Sequence, residues 1–221
     1  MNPSTNKTRV LIVDDHPMVR EWLAQMIKRE PDLTVCGEAD NAAQALDAMA
    51  MLKPDMAIVD LTMKDSHGTE WIREIGVRFK ELPVLVLSMH DESLYAERAI
   101  RAGAKGYITK QEAGQKIKEA IRAVLNGQVY ISEALASKMI RAIATRPPNA
   151  PPLPVDSLSE RQLEILRLIG KGHPTNQIAE NLGLSVKTVE GYIARIKEKL
   201  GIGTANELLQ YAIKFNKAVG D

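Results

Sequence analysis

The chain has 221 residues, 45% of them apolar and 26% charged, with a formal net charge of +1. That composition is globular, not disordered, the length is comfortable for two domains, and the near-zero charge points to no class of partner. A single cysteine, Cys36, excludes an internal disulfide framework and a cysteine-rich zinc site. The polar start carries no hydrophobic signal core, and no run approaches the roughly 18 apolar residues a membrane span needs, so the chain reads as cytoplasmic with no membrane partner.

Taken in order, Val10-Leu11-Ile12-Val13 is a buried-strand run that ends in Asp14-Asp15-His16-Pro17. Val19, Trp22, Leu23, Met26 and Ile27 then form one helical stripe, closed by Pro31. Residues 33–39 read as a second strand, in which Cys36 is expected to be a buried structural residue and not a nucleophile. Ala42, Ala45, Leu46, Met49 and Ala50 repeat the helical spacing. The run from Pro54 to Asp60 is a third strand, followed by a turn containing Gly68 and a helix through Trp71, Ile72, Ile75 and Phe79. A fourth strand spans residues 83–88, a weaker helix about 92–102, a short fifth strand 106–110, and a last helix is striped by Ile117, Ala120, Ile121, Val124 and Leu125. Five strands alternating with five helices predict a doubly wound α/β domain with a parallel sheet covered on both faces.

In such a sheet the ligand lies beyond the carboxyl ends of the strands. Asp14, Asp15, Asp60, Ser88 and Lys110 are all expected on that rim. Each has a plainer reading, since Asp14 and Asp15 could cap the following helix and Ser88 and Lys110 could be surface punctuation. Their convergence favours a site. Clustered carboxylates repel and need a cation. No cysteine is offered and no histidine at ligand spacing, so an all-oxygen Mg²⁺ site is expected. Lys110 and Ser88 would suit an incoming phosphoryl group, with the Asp60 carboxylate as nucleophile forming an acyl phosphate.

Val13-Asp14-Asp15-His16-Pro17, Val59-Asp60, Leu87-Ser88 and Ala104-Lys105-Gly106-Tyr107-Ile108-Thr109-Lys110 resemble the receiver domain of two-component response regulators. The resemblance implies a flavodoxin-like fold over 8–127 and phosphorylation of Asp60 by a sensor histidine kinase. It further implies Mg²⁺ on Asp14, Asp15, Asp60 and the backbone carbonyl of Thr62. Ser88 would be the hydroxyl drawn to the phosphoryl group, Tyr107 the aromatic that follows it inward, and Lys110 the phosphate's partner. Two positions depart from many relatives, which carry proline where Lys64 and Gln111 stand. His67 and His90 read as solvated loop residues near the rim.

Residues 128–156 read as a linker: Ser132 caps a helix to about Thr145, and a segment from Arg146 to Pro154 follows with five prolines in nine residues. Such a stretch is a semi-rigid tether. From Ser157 onward there are 9 Lys/Arg against 7 Asp/Glu, which permits nucleic-acid binding only if the positive charge is gathered on one face.

The second domain, 157–217, is expected to be small and all-α. Ser159 caps a helix through Leu163, Leu166 and Ile169 that Gly170 and Gly172 end; residues 175–182 form a short helix closed by Gly183. Ser185 caps a third helix striped by Val186, Val189, Ile193, Ile196 and Leu200, and residues 204–215 form a fourth. This is a helix-turn-helix pattern whose second helix would enter the major groove of double-stranded DNA. The runs Leu158–Leu166, Gln177–Leu182, Leu184–Val189 and Ile196–Ile202 resemble the LuxR-type DNA-binding domain, and the two resemblances together imply a NarL/FixJ-family transcriptional regulator that pairs as a homodimer on half-sites. The residues expected to face DNA are Lys187, Thr188, Glu190, Gly191, Ala194, Arg195 and Lys197. Relatives often carry lysine, histidine and arginine where Glu190, Tyr192 and Ala205 stand. Two other classes remain open at this level: a Mg²⁺-dependent phosphohydrolase with an aspartyl-phosphate intermediate, and a regulator acting by protein contact alone.

Overall fold

The computed structural model describes residues 7–63, 68–89, 92–145 and 154–219. Lys64, His67, His90 and the proline-rich stretch 146–153 lie outside them. The chain divides into two compact units between Ala144 and Thr145.

In the first unit, β1 (Thr8–Val13), β2 (Leu33–Ala39), β3 (Met56–Asp60), β4 (Val84–Ser88) and β5 (Gly106–Thr109) alternate with α1 (Pro17–Lys28), α2 (Ala42–Leu52), α3 (Thr69–Arg78), α4 (Glu92–Arg101) and α5 (Lys110–Leu125). The strands form one parallel sheet in the order β2-β1-β3-β4-β5. Every residue of β3 and β4 is buried, as expected of central strands covered by helices on both faces. On one face Val10, Ile12, Met56, Ile58, Leu85, Leu87 and Ile108 pack with Leu23 and Ile27 of α1 and Ala113, Ile117, Ile121 and Val124 of α5. Lys110 is the first residue of α5 and not the last of β5, because Thr109 caps that helix by accepting from the Glu112 amide.

Cys36 departs from the expected buried position. The β1–β2 register passes from Val10↔Val35 to Leu11↔Gly37, so Cys36 is the extra residue of a bulge and is half-buried. A bulge leaves its residue out of the ladder. Burial pushes its thiol pKa up, which keeps it a poor nucleophile.

The chain beyond α5 returns to the sheet. The Tyr107 amide donates to the Tyr130 carbonyl at 2.9 Å and the Tyr130 amide to the Lys105 carbonyl at 3.0 Å, closing the exposed edge of β5. The Ser132 amide then donates to Glu92 Oε1 at 2.7 Å, and α6 (Glu133–Thr145) begins, with Ser132 Oγ accepting from the Leu135 amide.

The second unit holds a short 3₁₀ turn (Pro154–Ser157), α7 (Glu160–Gly170), α8 (Thr175–Leu182), α9 (Val186–Leu200) and α10 (Ala205–Val219). A capping box starts α7, with the Ser159 side chain on the Gln162 amide and the Gln162 side chain on the Ser159 amide. Gly183, at φ 61°, ends α8 in the left-handed conformation, and two residues later Ser185 Oγ accepts from the Thr188 amide to start α9. Gly170 does something the sequence reading missed. It is still helical, and a Cβ there would meet the Ala212 carbonyl oxygen at 2.6 Å and Asn216 Nδ2 at 2.5 Å. The missing side chain lets α7 and α10 approach, and Asn216 Nδ2 donates to the Arg167 carbonyl across the contact. Gly170→Ala is therefore expected to cost about 1–3 kcal/mol, the usual penalty of overpacking, despite alanine's better helix propensity. Urea unfolding of the variant checks this; equal or higher stability would mean that α10 simply shifts aside.

Candidate functional site

The carboxyl ends of β1 and β3 and the start of α5 bring three charged side chains out of water together. Asp14 and Asp60 are each 1% exposed, and the Lys110 side chain is 8% exposed. Lys110 Nζ lies 2.7 Å from both Asp14 Oδ2 and Asp60 Oδ2, donating a hydrogen bond to Asp60 and pairing by charge with Asp14. Burial pulls the Lys110 ammonium down, but the Asp60 charge and hydrogen bonds to Asp14 and Asp60 outweigh it and raise its pKa above the ordinary lysine value. Lys110 is thus a fixed positive charge in the neutral range.

The other Asp60 oxygen, Oδ1, accepts from the Thr62 amide at 2.9 Å and from Thr62 Oγ1 at 3.0 Å. These bonds close the turn after β3 and hold the carboxylate in one orientation. Ser88 and Tyr107, on the neighbouring β4 and β5, are 0% and 1% exposed. Register places Asp60 beside Leu87, one residue before Ser88, and pairs Val86 with Tyr107.

A residue of the β1–α1 turn and one of α1 join the site without having been expected there. His16 Nδ1 lies 2.7 Å from Asp15 Oδ1 and 3.2 Å from Asp14 Oδ1, so a histidine does stand at ligand spacing, contrary to the sequence reading. Arg20, one turn into α1, donates from Nη1 to the Asp14 carbonyl at 2.6 Å and faces Glu38 on β2. That contact pins the turn that carries Asp14 and Asp15. They follow Asp15 by one and five residues, but only the folded turn points them back.

Ligand atoms of Asp14, Asp15, His16 and Asp60 all lie within 4.8 Å of one another. Asp14 Oδ2 and Asp15 Oδ1 are buried, with Lys110 Nζ and His16 Nδ1 respectively at 2.7 Å. With Lys110 compensating one of the three carboxylates, two negative charges remain, which a divalent cation would balance. The oxygen-rich donor set fits a hard cation.

In the second unit the surface of α9 carries Lys187, Thr188, Glu190, Ala194 and Arg195 exposed, with Gly191 and Lys197 half-buried. Arg195 stacks over the Tyr192 ring at 5.8 Å, which restrains its guanidinium. Val186 departs from the predicted core stripe: it is 45% exposed at the first position of α9, while Val189 and Ile196 are buried.

Residues 10–122 match the response regulator receiver domain, and residues 156–212 match the bacterial regulatory proteins of the luxR family. The oxygen regulatory protein NreC of Staphylococcus aureus is 34% identical over 210 residues, spanning 93% of this chain and 97% of that protein. RcsB of Salmonella enterica serovar Typhimurium, solved on promoter rprA with the phosphomimetic BeF₃⁻, is 25% identical, with 94% of this chain and 98% of that one covered at a TM-score of 0.58. A LuxR-family response regulator from Aurantimonas is 33% identical over 62% of this chain and 99% of its own, with a TM-score of 0.57. Among the described residues no helix is long and apolar enough to cross a membrane. The chain therefore belongs to the NarL/FixJ family of response regulators, a receiver domain followed by a LuxR-type DNA-binding domain, and regulates transcription in a phosphorylation-dependent way.

Proposed function

We propose that Asp60 is the phosphoacceptor, loaded in the cytoplasm by a sensor histidine kinase, and that the phosphoryl group is read out as tighter homodimeric binding to promoter half-sites. The observation that carries this is the buried Asp60 carboxylate held between Thr62 and Lys110 beside Asp14. Asp14, Asp15, Asp60 and the Thr62 carbonyl would hold Mg²⁺, which would screen the carboxylates from the incoming phosphoryl oxygens. An Asp60 oxygen forms the new P–O bond as the donor's leaving group departs. Lys110 then trades a carboxylate for a phosphoryl oxygen, and Ser88 and Tyr107 relay the change through β4 and β5. Trapping with borohydride after incubation with an acyl phosphate and Mg²⁺ tests the assignment. The reduced residue is expected at position 60, and a modification elsewhere would overturn it.

Any chemistry serves only to load and unload the chain's own aspartate. A phosphohydrolase needs a general acid close to the nucleophile. The residue two beyond Asp60 is Thr62, and its amide and hydroxyl are both committed to Asp60 Oδ1.

On the DNA side, Lys187, Thr188, Gly191, Arg195 and Lys197 approach the duplex, with Ala194 leaving room and Glu190 facing a cytosine amino group. Dimers bound to DNA are described for RcsB, which supports the homodimer reading. Lys187→Ala is expected to weaken binding to all promoter fragments alike and to shallow the log-log salt dependence by about 0.9. An unchanged slope in a salt titration would remove Lys187 from the interface.

A further inference from the structure

The start of α6 is tied to the receiver at two points only two residues apart. At the first, Tyr130 adds a parallel bridge to β5 through its amide on the Lys105 carbonyl and its carbonyl on the Tyr107 amide. Its ring packs against the core, and Gly106 makes room for it, since a Cβ there would meet Tyr130 Cβ at 3.2 Å and Val124 Cγ2 at 3.0 Å. At the second, the Ser132 amide donates to Glu92 Oε1 at 2.7 Å, and Glu92 is the first residue of α4. Helix starts leave such amides without an intrahelical partner, and in a capping box a Glu or Gln three residues on accepts from them. Here that position is Leu135, which has no side-chain acceptor, so the carboxylate comes from another element. Among the described side chains of α6 only Leu135 is buried, so little else fixes the helix.

Resting on the phosphoryl switch proposed above, we propose that Glu92 is a latch that holds the start of α6 against α4 in the unphosphorylated chain and releases it when Asp60 is loaded. Glu92 follows Ser88 by four residues and opens α4, so a displacement of Ser88 towards Asp60 reaches it before any other residue of that helix. Tyr130 and Ser132 are at most about 7 Å apart along the chain. A shift of α4 against β5 cannot be absorbed in so short a span, and the weaker anchor parts. Tyr130 has two backbone bonds and a packed ring; Ser132 has one bond to a carboxylate. Ser132 therefore lets go while Tyr130 stays. The chain runs on from α6 to the LuxR-type domain, so loosening the start of α6 loosens how that domain is carried.

Amide hydrogen exchange on the full-length chain, resolved residue by residue by NMR, reads the latch directly. A hydrogen bond to a charged group is worth about tenfold or more in an equilibrium. With acetyl phosphate and Mg²⁺, the Ser132 amide of the wild type is therefore expected to exchange at least about tenfold faster, while the Tyr130 and Tyr107 amides keep their protection. Glu92→Ala should expose Ser132 without any donor and raise donor-free promoter affinity about tenfold, so that the gain on adding donor shrinks. Glu92→Gln keeps a carbonyl acceptor and should stay near wild type in both measurements. Wild type that tightens on DNA with donor while Ser132 stays protected overturns the latch and leaves the phosphoryl switch standing. Glu92→Ala that frees Ser132 yet binds promoter with the donor-free affinity of wild type overturns its part in the readout. If donor changes neither exchange nor DNA binding in the wild type, the switch falls and the latch with it. The wild-type exchange comparison decides even where Glu92→Ala fails to fold.

Discussion

Asp60→Asn is expected to leave the chain folded, unable to accept a phosphoryl group, and deaf to an acyl-phosphate donor in DNA binding. Asparagine keeps a carbonyl oxygen for the Thr62 amide and hydroxyl, so the turn after β3 survives. Its amide nitrogen is not a nucleophile and cannot accept from Lys110, which retains only Asp14. In the wild type, donor and Mg²⁺ together should tighten promoter binding by the coupling typical of two linked sites, about 5- to 150-fold. The variant should show the same affinity with and without donor. Four binding curves decide it, wild type and variant, each with and without donor. A gain that persists in Asp60→Asn would place the switch elsewhere, and no gain in the wild type would mean that phosphate is not the signal for DNA binding.

Lys110→Met is expected to give the largest stability change of any single substitution at the rim. Methionine matches the length of the lysine stem but leaves Asp14 and Asp60, both 1% exposed, as buried like charges. Removing one partner of a buried pair costs about 3–5 kcal/mol, because the remaining charge keeps its desolvation penalty. A divalent cation should repair most of that loss, since it binds the folded carboxylates and not the unfolded chain. Urea unfolding in chelator and in excess Mg²⁺ should therefore give a large gap between wild type and variant in the first and a small one in the second. The same gap in both would show that Lys110 packs and does not compensate charge. The sign of the pH dependence follows from the raised Lys110 pKa. A cation with a raised folded-state pKa contributes fully below its unfolded value and loses that contribution only as pH rises through the folded one. As far as Lys110 sets it, the stability gap should thus be flat across the neutral range and close in strong alkali.

The rim was legible because each of its members ends or begins an element. Asp60 and Ser88 close buried apolar runs, and Asp14 follows another. Lys110 follows a short apolar run and opens a helix. In a parallel sheet those positions must share one edge, whatever packs behind them. His16 and Arg20 were not legible in the same way. Their approach to Asp14 and Asp15 depends on how the β1–α1 turn folds back and on which rotamers it selects, and no periodicity encodes that. Val186 fitted the apolar spacing of α9, yet it lies on the helix's first turn, where it is left exposed. Spacing alone assigns a face, not a neighbour.

The amino-acid order by itself determined where strands and helices lie and which carboxylates and ammonium meet. It also determined that a helix-turn-helix follows, through Gly183 and the Ser159 and Ser185 caps. Those features arise from interactions a few residues long: side-chain alternation, capping hydrogen bonds, and the φ that only glycine adopts freely. Only the tertiary structure decided that Cys36 sits in a bulge, that Gly170 is small so that α10 can approach, that Tyr130 seals the edge of β5, and that His16 joins the carboxylates. Each of these is set by where a second segment comes to rest against the first. That is decided by the packing of the whole unit and by no local stretch of the chain.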